Sequence, residues 1–159
     1  MIEIIRNSSI DDSAEYEAAE TLRGIIEEKY PAVSNNQSRV ILLTKVQCFG
    51  RSTRDLDLVL LAYFSENIKF QRTGNLYTIK DEDHEKPIEE TQIGLSSLCC
   101  VIEVKDHSAE RVIFTGNNVS VEYRDGWHDA TEQSEQQKRS FWGYLRENID
   151  AEPPFVTNL

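Results

Sequence analysis

Three apolar runs that each carry charge inside them constrain what this chain can fold into: RVILLTKVQCF from Arg39, RDLDLVLLAYF from Arg54 and LSSLCCVIEVKDH from Leu95. Their β-branched and aromatic content marks them as strands. The first two are separated only by the break GRST, so an antiparallel pair is expected. Helical patterns flank the three. From Asp11 or Asp12, both suited to an N-cap, apolar residues Ala18, Ala19, Leu22, Ile25 and Ile26 recur at helical spacing to Lys29, and Tyr30-Pro31 ends the run. Asp129 followed by Glu132 is a capping-box signature for a last helix reaching about Asn148. Its row Gln133, Gln137, Phe141, Leu145 advances about 40° per step and puts glutamines where the second half puts apolar anchors.

The order helix, strand, strand, strand, helix predicts a single α/β domain over residues 1–159, a mixed central sheet flanked by helices, with added hairpins. NIKFQRTGNLYTIK is expected to be one hairpin, turning at Thr73-Gly74-Asn75. RVIFTGNNVSVEYRDGWHD is another, with TGNN and RDG as turns. Residues 81–94 form a charged insert without regular structure, suited to binding a partner, gating a substrate or blocking it. The closing DAEPPFVTNL places the first residues of a strand after two prolines, so the domain is expected to be the front part of a longer protein.

Composition narrows the function classes. A chain of 159 residues with 39% hydrophobic content suits one continuous core. No run approaches a membrane span and the start MIEIIRNSSIDDS lacks a signal-peptide pattern, so a soluble cytoplasmic protein is expected. The formal charge of −11 repels polyanions at long range. Much of the acid sits in the first helix and in the insert, which leaves Arg51, Arg54, Lys105, Arg111, Lys138, Arg139 and Arg146 for a local basic patch. Cys48, Cys99 and Cys100 lack metal spacing and suit a reduced core; with His84, His107 and His128 scattered, no zinc site is expected.

The chemistry lies in polar groups on inward surfaces. Glu103 and Lys105 share one face of the third strand and Val104 takes the other. Asp57 interrupts LDLVLL on the face of Val59 and Leu61. Glu15 projects into the apolar stripe of the first helix one turn before Ala18 and Ala19, and Gln133 occupies an inward position of the last. At about 4 Å and an effective dielectric of about 20, two carboxylates such as Asp57 and Glu103 repel by about 4 kcal/mol. A divalent cation between them reverses that sign. Carboxylate oxygens with a backbone carbonyl and water suit Mg²⁺ or Mn²⁺, which activates water and stabilises charge on a phosphodiester. Lys105 would then orient the water or neutralise a phosphoryl oxygen, with a lowered pKa if it serves as a base. A metal-dependent phosphodiesterase is the expectation.

Each residue also has a plainer explanation. Glu103 and Lys105 could form a salt bridge at an exposed strand end. Asp57 could close a turn with Asp55. Glu15 could answer the helix dipole and Gln133 the first turn of its own helix. Trp127, Trp142 and Tyr144 are expected to pack, and Gly50 lacks the spacing of a phosphate loop.

The strand order with RDLDLVLL and VIEVKD resembles the PD-(D/E)xK nuclease core, that is, a restriction-endonuclease-like fold. Within it, the chain is most similar to the nuclease-related domain family called NERD. AEYEAAETL matches that family's first helix at Glu15, with Ala14 for its glycine; DLDLVL matches its aspartate strand at Asp57, with Asp55 as the preceding acid. IEVKD matches its E-x-K strand at Glu103 and Lys105, and GWHDATEQ supplies Trp127 and Gln133 with Asp-Ala for its Asn-Pro. The resemblance covers roughly Asp11 to Leu159. It implies an endonuclease acting on DNA, with Asp57, Glu103 and the Val104 carbonyl holding Mg²⁺ or Mn²⁺, Lys105 serving the nucleophilic water, and Glu15 and Gln133 orienting the shell. It also implies fusion to helicase, kinase-like or other modules C-terminal to Leu159, and leaves a homodimer open. Two alternatives stand beside it: a catalytically inactive nuclease-fold module for protein interaction, and an RNA or nucleotide phosphodiesterase.

Overall fold

The computed structural model describes residues 1–6, 13–34, 38–71, 92–105, 107–116 and 118–158. In chain order the elements are β1 (Ile2–Arg6), α1 (Ala14–Lys29), β2 (Arg39–Gln47), β3 (Asp55–Gln71), β4 (Gln92–Ile102), β5 (Val112–Thr115), β6 (Asn118–Tyr123), β7 (Gly126–Asp129), α2 (Ala130–Asn148) and β8 (Val156–Asn158), with short 3-10 turns at Pro31–Ser34 and Ala109–Arg111. A five-stranded mixed sheet runs β1-β2-β3-β4-β8, and β5-β6-β7 form a second, three-stranded sheet. None of the described helices is long and apolar enough to cross a membrane.

The three apolar runs form the antiparallel centre, β2 on β3 and β3 on β4. Their alternation sends side chains to two cores. Val40, Leu42, Leu58, Leu60 and Cys100 pack under α1 with Ala19, Leu22 and Ile26. Leu43, Val59, Cys99 and Val101 pack under α2 with Phe141, Tyr144 and Leu145. Adjacent Cys99 and Cys100 therefore enter opposite cores, and all three cysteines are buried free thiols.

β1 and β8 complete the sheet in parallel, β1 beside β2 and β8 beside β4. β8 is the strand start expected after the prolines. β1 was not expected, because IEIIR is too short to show a period clearly. It is fastened by the Met1 ammonium, which donates to the Val33 carbonyl at 3.2 Å and the Ser38 carbonyl at 2.9 Å.

Several boundaries differ from expectation. The cap of α1 is Ser13, whose Oγ accepts from the Tyr16 N–H at 3.3 Å; Asp11 and Asp12 lie outside the described residues. β3 does not stop at Phe64 but continues to Gln71, where it pairs with Gln92, so residues 67–71 extend the central ladder rather than open a separate hairpin. Thr73-Gly74-Asn75 lie outside the described residues, as does the insert up to residue 91; its last three residues, 92–94, are the start of β4. The second hairpin forms as expected, as does the Asp129 cap, whose carboxylate accepts from the Glu132 N–H at 3.0 Å. Trp127 and Trp142, expected to pack, are 48% and 40% exposed, whereas Tyr144 lies against the α2 core.

Phe141 anchors α2 on the sheet and is 4% exposed. Phe141→Ala should cost about 3–5 kcal/mol, the usual range for emptying such a site, measured by urea denaturation. A loss under about 1 kcal/mol would mean that α2 is not held through this core.

Candidate active site

All of the expected site residues come from one end of the sheet. Leu58 pairs with Ile102 in the last rung at this end of the β3–β4 ladder, and just beyond it Asp57 lies close enough to Glu103 for the two carboxyls to interact, with Asp57 Oδ2 accepting from the Val104 N–H. Two carboxylates are thereby brought together at the point where the ladder ends. In the β2–β3 ladder, Thr44 pairs with Leu58 and Val46 with Leu56, which sets Lys45 across from Asp57 on its other side.

This rung is irregular in both strands. Leu43 and Val46 both pack under α2 although three positions apart, and Leu56 packs under α2 while Leu58 packs under α1. Lys45 takes up the change with φ of 53°, the left-handed region that a non-glycine residue enters at a cost of about 1–2 kcal/mol. With that turn its ammonium comes within 3.6 Å of Glu15 Oε2 on α1. The site is thus built where the sheet's alternation is interrupted.

Glu103 is the most heavily bonded of the acids. Lys105 Nζ donates to its Oε1; Gln133 Nε2 donates to the same oxygen at 2.5 Å, and Gln137 Nε2 donates to its Oε2. Lys105 also donates to Gln133 Oε1 at 2.9 Å, so the Gln133 carboxamide joins both members of the Glu103–Lys105 pair. The glutamate and lysine side chains are 6% and 18% exposed, which removes the solvent-exposed salt bridge as an account of them. Gln133, expected at an inward position, is exposed, because it stands at the open end of the sheet; it bonds across to that end, not into its own helix turn.

Asp57 has a different environment. One of its oxygens, Oδ2, accepts from the Val104 N–H at 2.9 Å. Burial, only partly offset by that bond, and the negative charges of Glu103 and Glu15 push its carboxyl up to about 6. Asp57 does not close a turn with Asp55, which is exposed and accepts instead from Gln47 Nε2 at 3.2 Å.

Lys105 lacks the lowered pKa that service as a base would require. Burial acts to lower its pKa, but the Glu103 carboxylate and the Tyr123 hydroxyl facing it outweigh burial and hold the ammonium above the usual lysine value. A lysine of this kind is a fixed cation, not a base. Glu15 moves the other way: burial raises it, but the helix-terminal backbone, Ser13 and Lys45 bring it below the ordinary carboxylate range.

The expected basic patch is largely committed elsewhere. Arg51 bonds the Gly143 carbonyl and Glu147, Lys138 bonds Glu135, and Lys105 serves Glu103. The Arg51 guanidinium lies so close to Gly143 that a Cβ there would meet Nη1 at 2.8 Å.

Two contributors went unassigned from sequence. Gln137 stands one turn after Gln133 on the same helix row, so the row itself was the available signal. Tyr123, whose ring centroid is 5.6 Å from Lys105 Nζ, is an ordinary strand-end tyrosine and carried no signal. Beside Glu103 and Lys105 opens a cavity of about 300 Å³ lined by Thr131, Ser134 and Asn158.

The donor set fits a hard cation in part. Asp57 and Glu103 offer adjacent oxygens, and mutual repulsion favours a positive charge between them. Among the described residues, however, no three His, Cys, Asp or Glu side chains gather to hold a metal. Any further protein oxygen must come from a neutral group. No protein-family model, no curated protein and no solved structure matches the chain.

The raised carboxyl of Asp57 has a stability consequence. Its folded pKa of about 6 exceeds its unfolded value, so the folded state holds the proton more tightly and this contribution is lost as pH rises towards 6. Asp57→Asn should leave stability little changed at pH 4 and raise it relative to wild type at pH 8, read as the difference between paired urea titrations. A difference independent of pH would refute the shifted carboxyl.

Proposed function

We propose that the domain is a Mg²⁺- or Mn²⁺-dependent endonuclease of the PD-(D/E)xK type, restriction-endonuclease-like in its core and NERD-like in its motifs, that hydrolyses DNA phosphodiester bonds in the cytoplasm. The observation that carries this reading is the closeness of the Asp57 and Glu103 carboxyls just beyond the end of the β3–β4 ladder, with Lys105 bonded to Glu103 two residues on. Asp57 and Glu103, with the Val104 carbonyl, would hold the cation, which when bound supplies Lewis acidity and an activated water.

The protein's own groups account for the rest. Lys105 stays charged and is held by Gln133 at 2.9 Å, placing a fixed positive charge where a phosphoryl oxygen gains negative charge. Gln133 keeps that ammonium registered on Glu103 through its second bond. Glu15, with Lys45, sets the field around Asp57. The Glu103 and Lys105 side chains are largely shielded from water, which strengthens their pairing, whereas Gln133 reaches them from an exposed position.

One observation favours a second reading, an inactive module for protein interaction. Lys105 already lies on Glu103, so the network has an internal cation and Glu103 is not left unpaired. That reading requires no divalent-ion binding, and calorimetry with Mn²⁺ separates the two.

Supercoiled plasmid, single-stranded DNA and RNA, each incubated with Mg²⁺ or Mn²⁺, test the activity. DNA should be cut and RNA spared, and Asp57→Ala or Lys105→Ala should each slow cutting by about 10²–10⁴-fold. Cutting that survives both substitutions would refute this site.

A further inference from the structure

Gln137 is 2% exposed, yet its carboxamide oxygen is buried without a hydrogen-bond partner. Leaving such an acceptor unpaired costs about 1–3 kcal/mol. The other half of the same carboxamide, Nε2, donates to Glu103 Oε2. The neighbouring Gln133 shows no such waste, since its nitrogen serves Glu103 and its oxygen serves Lys105.

The arrangement has a simple electrostatic logic. A carboxamide carries a donor and an acceptor on one carbon, and turning it over exchanges them without moving the helix. Facing a bare carboxylate, the amide must present its nitrogen, and the oxygen is stranded. With a cation on that carboxylate the preference inverts, and the oxygen becomes the favoured face. The described residues gather no third acidic side chain to the pair, so beyond the Val104 carbonyl a neutral side-chain oxygen is what the cluster lacks.

We infer that Gln137 is a ligand for a divalent cation at the Asp57–Glu103 pair, contributing its side-chain oxygen as the third hard donor from the protein's side chains. This deepens the proposed function and rests on it. It also explains why α2 keeps a buried glutamine in the row that continues to Phe141 and Leu145, where an apolar residue would pack without an unpaired atom.

The probe is Mn²⁺ alone, titrated by calorimetry into the whole chain, with thermal melts recorded with and without the ion. Gln137→Met should fold and bind Mn²⁺ about 10-fold or more weakly. Gln137→Glu restores an oxygen but not the amide donor. Without Mn²⁺ it should melt below wild type, because it adds a third carboxylate; with Mn²⁺ it should regain wild-type affinity or better and show the larger rise in melting temperature. A residue that only props Glu103 through its N–H cannot be rescued by glutamate. Wild-type affinity in Gln137→Met, or no recovery in Gln137→Glu, overturns the inference while leaving the nuclease reading standing if Asp57→Asn still abolishes binding. Absence of Mn²⁺ binding by wild type overturns both. Should Gln137→Met fail to fold, the Gln137→Glu comparison decides alone.

Discussion

The closeness of the Asp57 and Glu103 carboxylates is the constraint to which the rest of the site responds. It arises just past the last rung of the β3–β4 ladder, Leu58 with Ile102, where the Val104 N–H also holds Asp57 Oδ2. Like charges held this way raise the energy of the doubly ionised state, and the surroundings divide the problem unequally. Glu103 collects Lys105, Gln133 and Gln137 around its two oxygens. Asp57 receives a single N–H from Val104 and takes up the strain as a weaker acid, with its carboxyl at about 6. Separate environments for paired carboxylates are the usual physical means of giving them separate tasks.

The fold makes this possible by bringing four elements to one edge. Lys45 near the end of β2 and Asp57 near the start of β3, the segment just past β4, and the first turns of α1 and α2 meet there. Lys45 is the hinge of the arrangement. Its left-handed backbone lets Val46 return to the α2 core while its side chain reaches Glu15 across the other face. Regular alternation would have kept Lys45 and Glu15 apart. That one strained residue sits beside the candidate site, where left-handed non-glycine backbone is commonly found.

Much of this was legible in the chain because local rules and tertiary demands agree. The three core strands, both helices and the second hairpin follow from periodicity and from the Asp129 cap, and Asp57, Glu103 and Lys105 stood out as polar groups on inward surfaces; Gln133 was singled out on the same ground but reaches the site from an exposed position. The misses have specific causes. β1 offers five residues and gains its stability from a parallel neighbour distant in sequence, a contact that no local pattern encodes. The left-handed turn falls on a lysine rather than a glycine or asparagine, so composition gave no warning. A base at Lys105 would need a lowered pKa, and burial does act that way, but direct contact with Glu103 reverses the outcome. Pairwise geometry decided the sign, and only coordinates contain it.

The local charge count bears on what the site is suited to hold. Glu15, Asp57 and Glu103 contribute three negative charges when ionised, and Lys45 and Lys105 two positive, leaving one net negative charge. A proton on Asp57 cancels it in acid, which is one reason that carboxyl is weak. Under the proposed reading, a divalent cation would convert the deficit into a surplus of one positive charge, and a phosphodiester group carries one negative charge. The chain as a whole is strongly acidic, with a formal charge of −11, so this surplus would arise only at the sheet's end and only in the ion's presence. Substrate attraction would then be switched on locally by the same ion that performs the chemistry, without the broad basic surface that the sequence lacks.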